Sequence, residues 1–138
     1  MCLVRSNIFC GPKYATKDII CYKVLCKNDQ NEYFSPCQHF IYKLNKCVSS
    51  IFSFTLSTST YFPPQIEYNS LKLIRNFNCI TQGLHSFKCL SAAIEFKDYF
   101  VKEGIVMKCT IPKGSWYYEG IDNELVSDNI IINREIVI

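Results

Sequence analysis

Residues 83–120 read GLHSFKCLSAAIEFKDYFVKEGIVMKCTIPKGSWYYEG, and this stretch decides the fold class. Gly83 permits a bend with positive φ, and Leu84-His85-Ser86-Phe87 is short enough to be a brief extended segment. From Leu90 onward Ala93, Ile94, Lys97 and Val101 fall on one side at helical spacing, with Phe96 and Phe100 widening the apolar stripe. Glu95, Asp98, Lys102 and Glu103 mark the wet side. Gly104 stands where a helix stop is expected, which predicts a helix over about 90–103. Ile105, Met107, Cys109 and Ile111 then alternate with Val106, Lys108 and Thr110, the period of a strand. Pro112-Lys113-Gly114 supplies turn chemistry, and Trp116-Tyr117-Tyr118 leads back. The unit is a bend, a helix and a hairpin.

Working outward, Asp18–Lys27 is the clearest strand of the first half, with Ile20, Tyr22, Val24 and Cys26 on one face and Cys21, Lys23, Leu25 and Lys27 on the other. Asn28–Asn31 is a turn cluster from which Glu32-Tyr33-Phe34 returns as a hairpin partner. Phe40–Leu44 is a short aromatic strand, and Cys47–Ser59 an edge or ligand-facing strand rich in small hydroxyl residues. Pro63-Pro64 ends it, and Leu71–Ile80 follows as another strand. Asn129–Ile138 closes the chain as a long Ile-rich strand. Residues 1–17 show no period and predict a loose arm. Many short strands with one principal helix give a single α+β domain over 1–138, built on a mainly antiparallel sheet.

The composition agrees with one core-forming domain: 138 residues, 49% hydrophobic, ten Phe, nine Tyr and one Trp. Nine cysteines are an odd count that cannot pair fully within one chain, and Met1-Cys2-Leu3-Val4 runs straight into Arg5-Ser6 with no leader-like segment. Reduced thiols in a cytosolic protein are therefore expected. No apolar run reaches the ~20 residues of a membrane helix. Residues 1–90 carry ten Lys/Arg against four Asp/Glu, whereas 91–138 carry five against eight. The basic front portion favours an anionic partner. It has no Arg/Lys-rich stripe of the kind that grips nucleic acid in general.

Two resemblances add to this reading. ITQGLHSF, the helical LSAAIEF, VMKCTIPKGSWYYEG and VSDNIIIN, together with IICYKVL at 19–25, resemble a group of small bacteriophage and bacterial proteins, over about half of the chain. That group brings no activity with it; it implies a bacterial cytosol and a role in disarming host defence. Ser57-Thr58-Ser59 in LSTST and the KCTIPKGS strand and turn resemble ADP-ribosyltransferases. The catalytic Glu of that family precedes the late strand, and here the position is held by Gly104-Ile105-Val106-Met107, with Glu103 left at the helix end. The first-strand Arg is replaced by Tyr22-Lys23. Without that Glu the ribose hydroxyls and the developing cation lack their partner.

The candidate ligand contacts follow from these readings. His85 and Ser86 precede a helix start, where free N–H groups and the dipole favour anions. Arg75 and Lys23 supply positive charge, Tyr22 and Tyr117 aromatic surface for a base, and Ser57 and Thr58 the hydroxyls of the nucleotide-shaped groove. Cys21, Cys26, Cys37, His39 and Cys47 lack the tight Cys-x-x-Cys pairing of structural zinc, and no cofactor or metal is expected. Cys89, four residues from His85, is the nearest to a nucleophile–base pair. The expected function is non-catalytic sequestration of an anionic ligand, foremost a nucleotide signal of host immunity, by a homo-oligomer that holds the ligand between subunits and whose exposed Ile-rich terminal strand pairs or packs across an interface. The alternatives are direct inhibition of a host defence protein and a diverged transferase.

Overall fold

The computed structural model describes residues 6–8, 12–36, 40–56, 78–120 and 123–138. The described elements are strands β1 (Ser6–Ile8), β2 (Lys13–Tyr14), β3 (Ile19–Lys27), β4 (Tyr33–Phe34), β5 (Ile41–Tyr42), β6 (Cys47–Ser49), β7 (Ser53–Leu56), β8 (Asn78–Gln82) and β9 (Leu84–Phe87). They are followed by helix α1 (Leu90–Phe100) and strands β10 (Ile105–Ile111), β11 (Trp116–Glu119), β12 (Glu124–Ser127) and β13 (Asn129–Glu135). The fold is α+β: a mainly antiparallel sheet and, among the described residues, a single helix. No helix among them is long and apolar enough to cross a membrane.

The main sheet runs β2-β11-β12-β9-β3-β10-β13-β6, with β4 and β5 continuing from the end of β3; a smaller sheet runs β1-β8-β7. Its centre is β3 against β10, an unbroken antiparallel register from Ile105↔Leu25 to Ile111↔Ile19. Both strands have the alternation read from the sequence. Cys21, Leu25, Met107, Cys109 and Ile111 enter one core with Leu84, Leu125, Ile130, Ile132 and Tyr42. Val24 and Val106 enter the other with Phe87, Ala93 and Phe96, where α1 lies on the sheet. Both faces of the central pair are thus covered, and each residue type on β10 is dictated by its side.

Several expectations are corrected. The helix ends at Phe100, short of Glu103, because Val101 already leaves helical geometry and caps it by donating its N–H to Lys97 O. Gly104 is needed for space, not for a left-handed stop: a Cβ there would lie 2.6 Å from Val24 Cγ1 and 2.9 Å from Val101 O. Gly83 does take the positive φ expected of it (146°), between β8 and β9, with Val126 Cγ1 2.5 Å from where its Cβ would stand. The arm is partly ordered, since β1 pairs with β8 and β2 with β11. The strand expected from Cys47 to Ser59 is two strands in different sheets, β6 and β7; Ser57 to Ser59 lie outside the described residues, as do 71–77 of the strand expected from Leu71. The terminal strand β13 ends at Glu135, short of Ile138; it lies between β10 and β6, pairing with β6 over Asn129–Ile131, and buries Ile130 and Ile132 completely.

Replacing Gly104 by Ala should lower unfolding stability by about 1–3 kcal/mol, since the methyl group must displace Val24 or the end of α1. Denaturant titration measures this directly; an unchanged midpoint would show that the sheet–helix junction can yield.

Candidate functional site

The expected contacts divide into three groups. Lys23, His85 and Ser86 are brought together, but inside the protein. Lys23 on β3 is 1% exposed, His85 on β9 3% and Ser86 0%. The Lys23 ammonium donates to the His85 carbonyl oxygen at 2.6 Å and stands 5.5 Å from the centre of the Tyr42 ring. A buried ammonium is tolerable only with such compensation. Tyr22, paired across to Phe87, packs half-buried on the helix-side core, and Tyr117 packs half-buried against the opposite core. Arg75, Ser57 and Thr58 lie outside the described residues.

The His85-Ser86 corner is therefore not the helix start. Cys89 holds the N-cap position of α1 and makes no side-chain cap; its thiol lies 3.4 Å from Ser91 Oγ. Hydrogen bonds from Ser91 and the Ala92 N–H lower the Cys89 pKa, while His85 Nδ1 faces Glu124 Oε1 at 3.7 Å. The thiol and the imidazole thus turn to different partners. His85 is pushed down to about 2, chiefly by burial, with the positive charge of Lys23 a lesser contribution, so the imidazole is neutral and its contact with Glu124 is not an ion pair.

Glu124 leads to a site that sequence reading did not find. β12 pairs with β9 in the register Glu124↔Phe87, which sets the carboxylate and the ring side by side on the sheet. Lys88 N–H donates to Asn123 O at 2.7 Å, closing the loop between β9 and α1 against the start of β12. Between this corner and α1 is a cavity of about 470 Å³ lined by Phe87, Ser91, Ala92, Glu95, Phe96, Tyr99, Phe100, Asn123 and Glu124. The helix offers it one face: Ser91, Glu95 and Tyr99 recur every fourth residue, and Ala92, Phe96 and Phe100 run alongside. Phe96 stacks on both Phe87 and Phe100, with ring centroids 5.4 and 5.2 Å apart. Tyr99 and Phe100 are 72% and 67% exposed and form the rim. Of the expected contacts among the described residues, none lines the cavity.

Chemically this is an aromatic cleft with hydrogen-bond acceptors at its walls, within the size range of small-molecule sites. The signal for it was present in part: Phe96, Tyr99 and Phe100 make an aromatic end to the helix too rich for one core stripe. Glu124 gave none, because its strand has no polar–apolar alternation.

The buried neutral His85 has a consequence for stability. The unfolded chain binds a proton at His85 near pH 6.5 and the folded chain does not, so stability is lost as pH falls below that value. By pH 5 the loss from this group should reach about 2 kcal/mol. In His85→Gln the slope of stability between pH 7 and 5, measured by denaturant titration, should be shallower by one proton; an unaltered slope would mean that His85 protonates in the folded state.

No family model, curated protein or solved structure matches the chain.

Proposed function

We propose that this protein is a non-catalytic binding protein that sequesters a small organic ligand in the cavity under α1. The observation that carries the reading is the cavity itself, whose rings and acceptors come from two rigid elements, α1 and the β9–β12 pair. Rings supply contact area at low entropic cost, and a rim of exposed Tyr99 and Phe100 leaves aromatic surface to be covered when a ligand enters. The resemblance to phage proteins supplies the setting, the removal of a host signal from the bacterial cytosol. A nucleotide is the form of that signal expected from the sequence; its base would lie among the rings and its phosphates outside, toward the exposed Lys88.

A second reading, direct binding to a host defence protein, is favoured by a different surface. Tyr14 and Trp116, 53% and 46% exposed, pack edge to face at 5.2 Å on the paired strands β2 and β11 at the margin of the sheet. Aromatic pairs of this kind are common anchors of protein interfaces.

A thermal-shift panel of cyclic and linear nucleotides and of aromatic fragments tests the first reading. A ligand present at 100 times its Kd should raise Tm by roughly 5–10 °C and be recovered chemically unchanged. Ser91→Trp, at an exposed lining position, should fill the cavity and abolish the shift without lowering the Tm of the free protein by more than a few degrees. No shift with any compound, or a shift that survives Ser91→Trp, would remove the cavity reading. Loss of host-protein capture in Trp116→Ala alone would favour the second.

A further inference from the structure

Cys21 on β3 stands directly across from Cys109 on β10 in the central register. Both side chains face the core that holds Leu25, Met107 and Ile111; both are fully buried, and both are free thiols. Residues opposed in this way on antiparallel strands have Cα atoms roughly 4.5 or 5.5 Å apart, inside the roughly 4.4–6.8 Å that a disulfide spans. The Cys109 thiol is the chief partner of Cys21, and Ser86 on β9 faces it as well. Next along the same face of β3 is Lys23, its ammonium anchored on the His85 carbonyl oxygen. The two sulfurs are chemically unequal. Hydrogen bonding from Cys109 lowers the Cys21 pKa against the effect of burial, with Ser86 and the charge of Lys23 adding to it. Burial holds Cys109 well above the ordinary thiol range. Cys21 is thus the sulfur that ionises first and attacks.

From this pairing we infer that Cys21 and Cys109 form a redox-modification site, which a peroxide converts to a cross-strand disulfide fastening the centre of the sheet. The Cys21 thiolate attacks a peroxide oxygen and the O–O bond breaks. The hydroxide that leaves takes up the proton released by the Cys21 thiol, and Cys21 becomes a sulfenic acid. The Cys109 sulfur then attacks the Cys21 sulfur, the S–O bond breaks, and the hydroxyl departs as water with the Cys109 proton. Two thiols have lost two electrons and two protons, and hydrogen peroxide has become two waters. Because both sulfurs are covered, the reaction proceeds through local opening and suits an oxidant of this small size. The join beside Cys21 is the weaker one, since backbone pairing of β3 with β9 is confined to Tyr22↔Phe87, whereas Cys109 lies on a strand laddered to β3 and β13 on its two sides. Opposed Cβ atoms stand roughly 4.5–5.5 Å apart and a disulfide prefers about 3.8 Å, so closure draws the strands together and leaves a bond that is readily reduced again. The inference is independent of what fills the cavity.

To test this, the full chain is reduced, freed of reductant and treated with hydrogen peroxide, then unfolded, alkylated and mapped by peptide mass spectrometry without reduction. The expected product is a linked pair of peptides carrying Cys21 and Cys109, released by dithiothreitol. The linked protein should melt roughly 5–15 °C above the reduced one, because the bond closes a loop of about 90 residues. Exposed Cys47 and half-buried Cys89 are open to the same oxidant, so the treatment is repeated on the Cys47→Ser, Cys89→Ser double variant, where the rise in Tm should persist. After peroxide, dimedone should label the sulfenic acid of Cys21 in Cys109→Ala at least about 5-fold more than Cys109 in Cys21→Ala. Equal labelling in the two variants would overturn the assignment of Cys21 as the attacking sulfur. Alkylation of both thiols after peroxide, pairing of either with another cysteine, or a linked protein no more stable than the reduced one would overturn the redox site itself. The linked peptides are read on the unsubstituted chain, so a variant that folds poorly leaves this test intact.

Discussion

The register of β10 on β3 is the constraint on which the rest depends. Seven consecutive pairs, Ile105↔Leu25 through Ile111↔Ile19, fix which side chains of both strands face α1 and which face away. A slip of one residue would turn Val24 and Val106 from the helix and drive Lys23 and Lys108 to the wrong sides. The position of α1 follows, since its buried residues Ala93 and Phe96 rest on Val24, Val106 and Phe87. Gly104 lets the chain leave α1 and enter β10 at close contact with Val24. The cavity is therefore a by-product of the same register: its helical wall stands where β3 and β10 hold it, and its floor is β9 with β12.

The interior polar group follows a different logic. Lys23 occupies a position that the alternation assigns to the same face as Cys21 and Leu25, and the protein keeps it there with a carbonyl acceptor and a ring. A lysine at such a position costs more than a leucine in transfer terms. What it gains is specificity. The bond from Lys23 to His85 O ties β3 to β9 at a point where backbone pairing between the two strands is confined to Tyr22↔Phe87. His85 and Ser86 are buried with it, as members of a strand covered on both faces, and so are unable to serve as surface contacts.

The central strands, the helix, the Pro112–Gly114 turn and the bend at Gly83 were legible because each has a local signature of period or backbone requirement. Lys23 was legible as to face and misleading as to environment: residue identity says solvent, whereas the alternation says core. β12 was missed because Glu124, Leu125, Val126 and Ser127 are all buried, so a strand with two covered faces shows no alternation. The aromatic end of α1 was visible as surplus rings, but the carboxylate opposite them came from a strand 25 or so residues away. That juxtaposition is topological. The charge asymmetry along the chain says nothing of any one cleft, because local lining, not the sum over half a sequence, sets the potential there.

The single pair Tyr22↔Phe87 gives the main sheet a seam. On one side lie β9, β12, β11 and β2, on the other β3, β10, β13 and β6, each bound internally by longer ladders. The helix crosses this seam: Phe96 touches Phe87 on one panel while Ala93 and Phe96 share a cluster with Val24 and Val106 on the other. In mechanical terms α1 is a splint over this single-pair join, and the cleft runs between the splint and one panel. Opening the seam would therefore mean lifting α1 from one panel or the other.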